Sequence, residues 1–224
     1  MKSDNKDTNA FIKNQILLRE QYYKDNPESP SLKFDNELRS LGFEFQTSKQ
    51  LLKIVPKYKD VILPIAIKYY NLAKQLNMSN EQNSFIEFFR FKGFDDVVPM
   101  LLKDYHSDKT TDLTRWFISD CLYQIRSGKF INEYIDIVTD NKFGINRQMI
   151  ILLLGKLKAE SAVPVLIGLL EDEEVRLHAI CALGDFKREE FRCCFERFQN
   201  SNNYGWRKYS QKAINKLDKN NLQG

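Results

Sequence analysis

Four arginines, Arg115, Arg147, Arg176 and Arg207, recur along this chain at spacings of 32, 29 and 31, each opening a segment of helical character. A period of about 31 residues is long enough for two short helices and a turn, and too short for a unit that buries its own apolar face. Stacked helix pairs are therefore the architecture to test first.

The clearest unit is Ser161-Ala-Val-Pro-Val-Leu-Ile-Gly-Leu-Leu170, an acidic turn Glu171-Asp-Glu-Glu174, then Val175-Arg-Leu-His-Ala-Ile-Cys-Ala-Leu-Gly184. Both apolar stretches have a period near 3.6, and the turn leaves room only for a hairpin. Ser161 reads as an N-cap, Pro164 falls in the first turn where its missing N–H costs nothing, and Gly184 reads as the C-terminal stop. Asp96-Val-Val-Pro99 repeats the grammar, and Asp60-Val-Ile-Leu-Pro64 repeats it more loosely.

The matching residues Val163-Pro164, Leu169-Leu170, Asp172, Val175-Arg176, Ala179 and Ala182-Leu183-Gly184 resemble a short HEAT repeat, of the kind found in phycobilin lyases and AlkD-like DNA glycosylases. Asn36 to Phe43 followed by Leu51-Leu52 is similar to the lead-in of stand-alone bacterial HEAT-repeat proteins. The resemblance covers about residues 34 to 217: clear repeats at 145–184, degenerate ones at 60–91, 96–126 and 188–217. It implies an all-α, right-handed α-α superhelix (a HEAT-like, armadillo-like solenoid) of about five helix pairs. Residues 1–33 then form an N-terminal capping helix and linker, 34–217 the repeat domain and 218–224 a disordered tail. Phe11, Ile12, Ile16 and Leu17 form the apolar side of the capping helix, with Asp25 to Ser31 as its linker.

Composition agrees with a globular chain: 42% hydrophobic and 29% charged residues are too apolar for disorder. Nine glycines and six prolines are too few for a turn-rich β architecture. The longest apolar run, Met149 to Leu154, is far too short for a membrane span. Four cysteines without a charged-then-apolar leader point to a reduced, cytoplasmic, monomeric protein. Net charge is +4, but residues 187 to 219 hold nine basic against four acidic side chains, so that stretch carries +5 and the remainder −1.

Placing the second helices in register by their arginines separates buried from exposed positions at 100° per residue. The resemblance implies that these helices line the inner, concave surface. The exposed arc then presents Trp116, Ser119, Asp120 and Tyr123, next Gln148, Ile151 and Leu152, next Leu177, Ile180, Cys181 and Gly184, and last Lys208, Gln211, Lys212 and Asn215. Such a groove runs from an aromatic and acidic patch, through an apolar middle, to a basic end. Trp116 with Tyr123, two turns apart, is the best candidate anchor, because Trp and Tyr dominate binding energy. For Leu177 and Ile151 core is the favoured reading, since a one-repeat offset in the register would bury them.

The arginine column, Arg115, Arg147, Arg176 and Arg207, could be a phosphate ladder. The resemblance implies a structural column instead, bonded to acidic or carbonyl groups of a neighbouring turn, with Asp112 and Asp172 as partners. His178 and Cys181 lie three apart, but no second pair supplies a metal site, and adjacent Cys193 and Cys194 point about 100° apart on a helix. No nucleophile elbow, zinc-protease or phosphate-loop pattern is present, so no cofactor and no catalytic residue are assigned. Phe85, Phe88 and Phe89 read as a core stripe.

The functional expectation is a non-catalytic protein-binding module or adaptor, in the manner of an antidote or regulator of another protein, gripping its partner with Trp116, Asp120, Tyr123, Gln148, Leu177, Lys208 and Lys212. The alternative is a DNA-binding or DNA-repair protein of the AlkD-like type, with Arg207, Lys208, Lys212 and Lys216 on phosphates; lyase activity rests on the repeat resemblance alone.

Overall fold

The computed structural model describes residues 4–221, with side chains for 10–219, and over those residues it contains thirteen α-helices and no strand. Residues 1–3 of the expected capping segment and 222–224 of the expected tail lie outside the described residues. The chain divides into two compact units, Met1–Phe89 and Arg90–Gly224, rather than at residue 33.

The first unit holds α1 (Asp4–Asp25), α2 (Pro30–Ser40), α3 (Ser48–Ile54), α4 (Lys59–Gln75) and α5 (Ser79–Ile86). Ser29 caps α2 by accepting from the Leu32 N–H, and Thr47 with Gln50 forms a reciprocal capping box on α3. Helix α4 packs on both α2 and α5. Phe34 meets Phe85 and Phe88 edge-on at 5.3 and 5.0 Å, and Phe89 meets Tyr70 at 5.6 Å, so the three phenylalanines of the stripe are core. Helix α1 attaches differently from the sequence expectation. Phe11, Leu17 and Leu18 are exposed, and the helix is held by polar side chains: the Tyr23 hydroxyl donates to Asp35 at 2.7 Å, Arg19 pairs with Asp35, and the Tyr22 hydroxyl donates to buried Glu81 at 2.7 Å. Asp35 and Glu81 are anchored inside the unit, so they fix the helix by its tyrosines, leaving Phe11, Leu17 and Leu18 in water while Ile12 and Ile16 are half-buried.

The second unit is a run of hairpins. The pairs are α6 (Val98–His106) with α7 (Asp112–Ile125), α8 (Ile131–Thr139) with α9 (Gln148–Leu157), α10 (Val163–Gly168) with α11 (Arg176–Phe186), and α12 (Arg192–Glu196) with α13 (Tyr204–Asn221). Each first helix is entered through a three-residue 3-10 turn, and Pro99 and Pro164 sit in the opening turns of α6 and α10. The second helices pack on one another in order, α7 on α9, α9 on α11 and α11 on α13, so they form one layer. Helix α13 continues to Asn221, beyond residue 217 where the repeats were expected to end.

Gly184 does not stop its helix, as the sequence suggested; α11 runs to Phe186, and the left-handed residue beyond it is Lys187 at φ 57°. Arg126 and Lys158 take the same left-handed conformation after α7 and α9, at φ 57° and 49°. A cation there faces the negative end of the helix dipole, which partly offsets the cost of a left-handed non-glycine residue. The glycines serve instead as helix crossings: a Cβ on Gly155 would lie 2.5 Å from the Ala182 Cα, and one on Gly184 would lie 3.2 Å from the Ala213 Cβ. Gly155→Ala should therefore destabilise by about 1–3 kcal/mol, because overpacking outweighs the roughly 1 kcal/mol of helix propensity that alanine adds. Gly168→Ala, with nothing within 4 Å, should be stabilising by up to about 1 kcal/mol; paired urea melts of the two variants read both signs.

Candidate functional site

The arginine column closes the hairpins. Arg115 donates from Nε to the Tyr105 carbonyl at 3.0 Å and from Nη2 to the Ser107 carbonyl at 2.9 Å, and meets Asp112 at 3.0 Å. Arg176 donates to the Leu170 and Glu171 carbonyls at 2.6 and 3.1 Å and lies 4.2 Å from the centre of the Trp206 ring. These are the carbonyls that the end of a helix leaves without an intrahelical donor. Arg147, 1% exposed, reaches the Gly144 carbonyl at 2.9 Å, Asn141 Oδ1 at 2.9 Å and Asp172 Oδ2 at 2.6 Å, tying its own hairpin to the next. Arg207 is exposed and donates to the Ser201 carbonyl. With their donors committed to backbone carbonyls and neighbouring side chains, Arg115, Arg147 and Arg176 do not offer a row of guanidinium groups to solvent. Arg147→Met should cost about 3 kcal/mol, since it strands buried acceptors and a partly buried carboxylate, whereas Arg207→Met should cost under about 1 kcal/mol. Urea denaturation of the two variants measures the difference.

Across the layer of second helices runs a groove of about 350 Å³, lined by Tyr123 on α7, Leu152 and Lys156 on α9, Leu177, His178, Cys181 and Asp185 on α11, and Tyr209, Lys212 and Lys216 on α13. Of the residues named from the sequence, Tyr123, Leu152, Leu177, Ile180, Cys181, Gly184 and Lys212 line this groove, as does Lys216 of the nucleic-acid alternative. Trp116, Asp120, Gln148 and Lys208 stand off its lining. Trp116 is 49% exposed near the start of α7, edge-on to Phe117 at 5.3 Å. Asp120 is paired with Arg90 at 2.9 Å, Gln148 donates to the Glu174 carbonyl at 2.9 Å, and Lys208 is exposed beside the Tyr204 ring. The apolar middle is narrower than expected: Ile180 and Gly184 are buried, as is Ser119, because the packed arc of each second helix is wider than the register assumed, and Ile151 is core, the reading favoured for it.

Beside the apolar residues Leu152 and Leu177 the groove carries a charge ladder. Asp185 sits between Lys156 Nζ at 2.9 Å and Lys216 Nζ at 3.1 Å. These three residues stand nine after Arg147, Arg176 and Arg207, the same repeat position in consecutive second helices. The wheel reading ended one residue earlier, at Tyr123, Gly184 and Asn215, and of the three it named only Lys216, as a phosphate contact. Burial disfavours the charged form of Asp185, and the two ammonium groups outweigh it, holding its carboxyl below the usual carboxylate range. Lys156 is raised, chiefly by its bond to Asp185.

Two other groove residues bear on chemistry. Burial lowers the His178 pKa, keeping the imidazole neutral near pH 7, and pushes the Cys181 thiol up to about 11. A thiol so shifted is almost wholly protonated at neutral pH and is a poor nucleophile. Iodoacetamide at neutral pH should therefore label exposed Cys193 while leaving Cys181 largely unmodified, as read by peptide mass spectrometry.

No helix among the described residues is long and apolar enough to cross a membrane. Compared with family models, curated proteins and solved structures, the chain finds no match in any of the three.

Proposed function

We propose that the chain is a non-catalytic protein-binding module, a HEAT-like right-handed α-solenoid that holds its partner against the face of its second helices. The observation that carries this reading is the layer α7, α9, α11 and α13, which leaves Trp116 exposed on the same side of α7 as half-buried Tyr123, with Leu177, Tyr209 and Lys212 along one groove. A rigid layer carrying aromatic anchors amid a polar surround has the composition of an interface centre. The protonated Cys181 supports the non-catalytic side of the proposal, since a thiol held in that form is a poor nucleophile. A regulator or antidote that sequesters another protein is the cellular role such a surface suits.

Nucleic acid is the second reading, favoured by the lysines of α13, Lys208, Lys212 and Lys216. Backbone phosphates favour an uninterrupted track of cations. Asp185 interrupts that track, its carboxylate lying between Lys156 and Lys216.

The separating experiment is affinity capture from nuclease-treated lysate. Trp116→Ala should leave the thermal melt nearly unchanged and weaken capture of the bound protein by roughly 2 kcal/mol or more. Under the nucleic-acid reading the large loss belongs to Lys208→Ala with Lys212→Ala, nuclease abolishes capture, and affinity falls steeply with salt.

A further inference from the structure

Three ammonium groups, those of Lys156, Lys212 and Lys216, share the groove of the second unit with the single carboxylate of Asp185. Lys156 and Lys216 both direct their Nζ at that carboxylate, at 2.9 and 3.1 Å, so they are held in place and only partly neutralised. Counting these four side chains, three positive against one negative, the groove keeps a surplus of +2. Tyr123, Leu152 and Leu177 give the same groove apolar walls. A surface with fixed positive charge beside aliphatic walls is complementary to carboxylates interleaved with aliphatic side chains.

We propose that this groove receives an acidic, aliphatic segment of a protein partner, with carboxylates on Lys156, Lys212 and Lys216 and an aliphatic side chain between Tyr123, Leu152 and Leu177. The proposal rests on the protein-binding reading above and specifies the chemistry of what is bound. A space of about 350 Å³ takes a few side chains of a segment, not the surface of a folded domain. The rings argue against a nucleic-acid strand. Tyr209 lies under the ammonium groups of Lys208 and Lys212, at 5.9 and 5.7 Å from its centre, and Tyr123 under the Arg126 guanidinium at 5.7 Å. Bases would have to displace those cations in order to stack. Asp185 would also face the phosphates at the centre of the groove, whereas a peptide can set its carboxylates to either side of it.

The test is fluorescence anisotropy with a labelled peptide of repeated Glu-Glu-Leu-Leu units, its Lys-Lys-Leu-Leu counterpart, and an oligothymidine of equal charge. The Glu-Leu peptide should bind and the Lys-Leu peptide should not, with oligothymidine weaker by tenfold or more. Lys156→Ala with Lys216→Ala should weaken the Glu-Leu peptide about tenfold or more. Asp185→Asn should tighten it severalfold, because both ammonium groups lose their internal counterion. That opposite sign keeps the test decisive if the double variant fails to fold. No binding of the Glu-Leu peptide, an unchanged or weakened affinity in Asp185→Asn, or oligothymidine binding as tightly as the peptide overturns the proposal. If the peptide fails while Trp116-dependent protein capture persists, the acidic segment is wrong and the protein-binding reading stands. If capture itself is indifferent to Trp116→Ala, the reading beneath it falls too.

Discussion

The second unit depends on guanidinium groups that complete the ends of short helices. Its first helices are brief: α10 has six residues and α12 five, too short to stand without tertiary support. Arg115, Arg147 and Arg176 each reach back from the next helix to carbonyls at or beyond the end of the preceding one, so the turn is held by charge-assisted bonds rather than by its own backbone. Arg147 goes further and takes Asp172 from the following hairpin, with Asn146 donating to Asp112 of the preceding one at 3.1 Å. Polar links of this kind register one hairpin against the next at the same end of the layer.

Close backbone approach does the corresponding work within the layer. Gly155 lets α11 come in until Ala182 touches the α9 backbone, and Gly184 faces Ala213 in the same way one hairpin later. Small residues at these crossings draw the second helices together, and the ladder Lys156, Asp185 and Lys216 stands one residue on from the crossing glycines on α9 and α11 and three on from Ala213 on α13. The spacing that lets two lysines on different helices share one carboxylate is thus set by the glycine and alanine contacts beneath them. Packing and electrostatics are coupled here: a bulkier residue at 155 would separate Lys156 from Asp185 as well as strain the core.

Helix hairpins, their period and the core stripe of Phe85, Phe88 and Phe89 were legible in the sequence, because 3.6-residue periodicity and proline in first turns are local signals. The arginine period located the second helices for the same reason. What a single turn of chain does not encode is how wide an arc its neighbours will cover. Ile180, Ser119 and Gly184 read as exposed from the wheel and are buried, since each second helix is packed by a first helix and by second helices on its flanks. The stop signal at Gly184 failed for a related reason. A glycine can end a helix or admit a neighbour, and only the position of Ala213 chooses between them.

The sequence by itself determined the helices, their pairing into hairpins and the position of the structural arginines, all of which follow from short-range periodicity repeated along the chain. The tertiary structure alone decided that α1 is held through Tyr22 and Tyr23 rather than through Phe11 and Leu17, that Tyr123, Leu177 and Lys212 share a groove while Asp120 is drawn off to Arg90, and that Lys156 and Lys216 converge on Asp185. Those outcomes turn on distances between side chains on different helices, from twelve to fifty-nine residues apart, set by how closely helices pack, and a one-dimensional pattern carries the period of such contacts but not their reach.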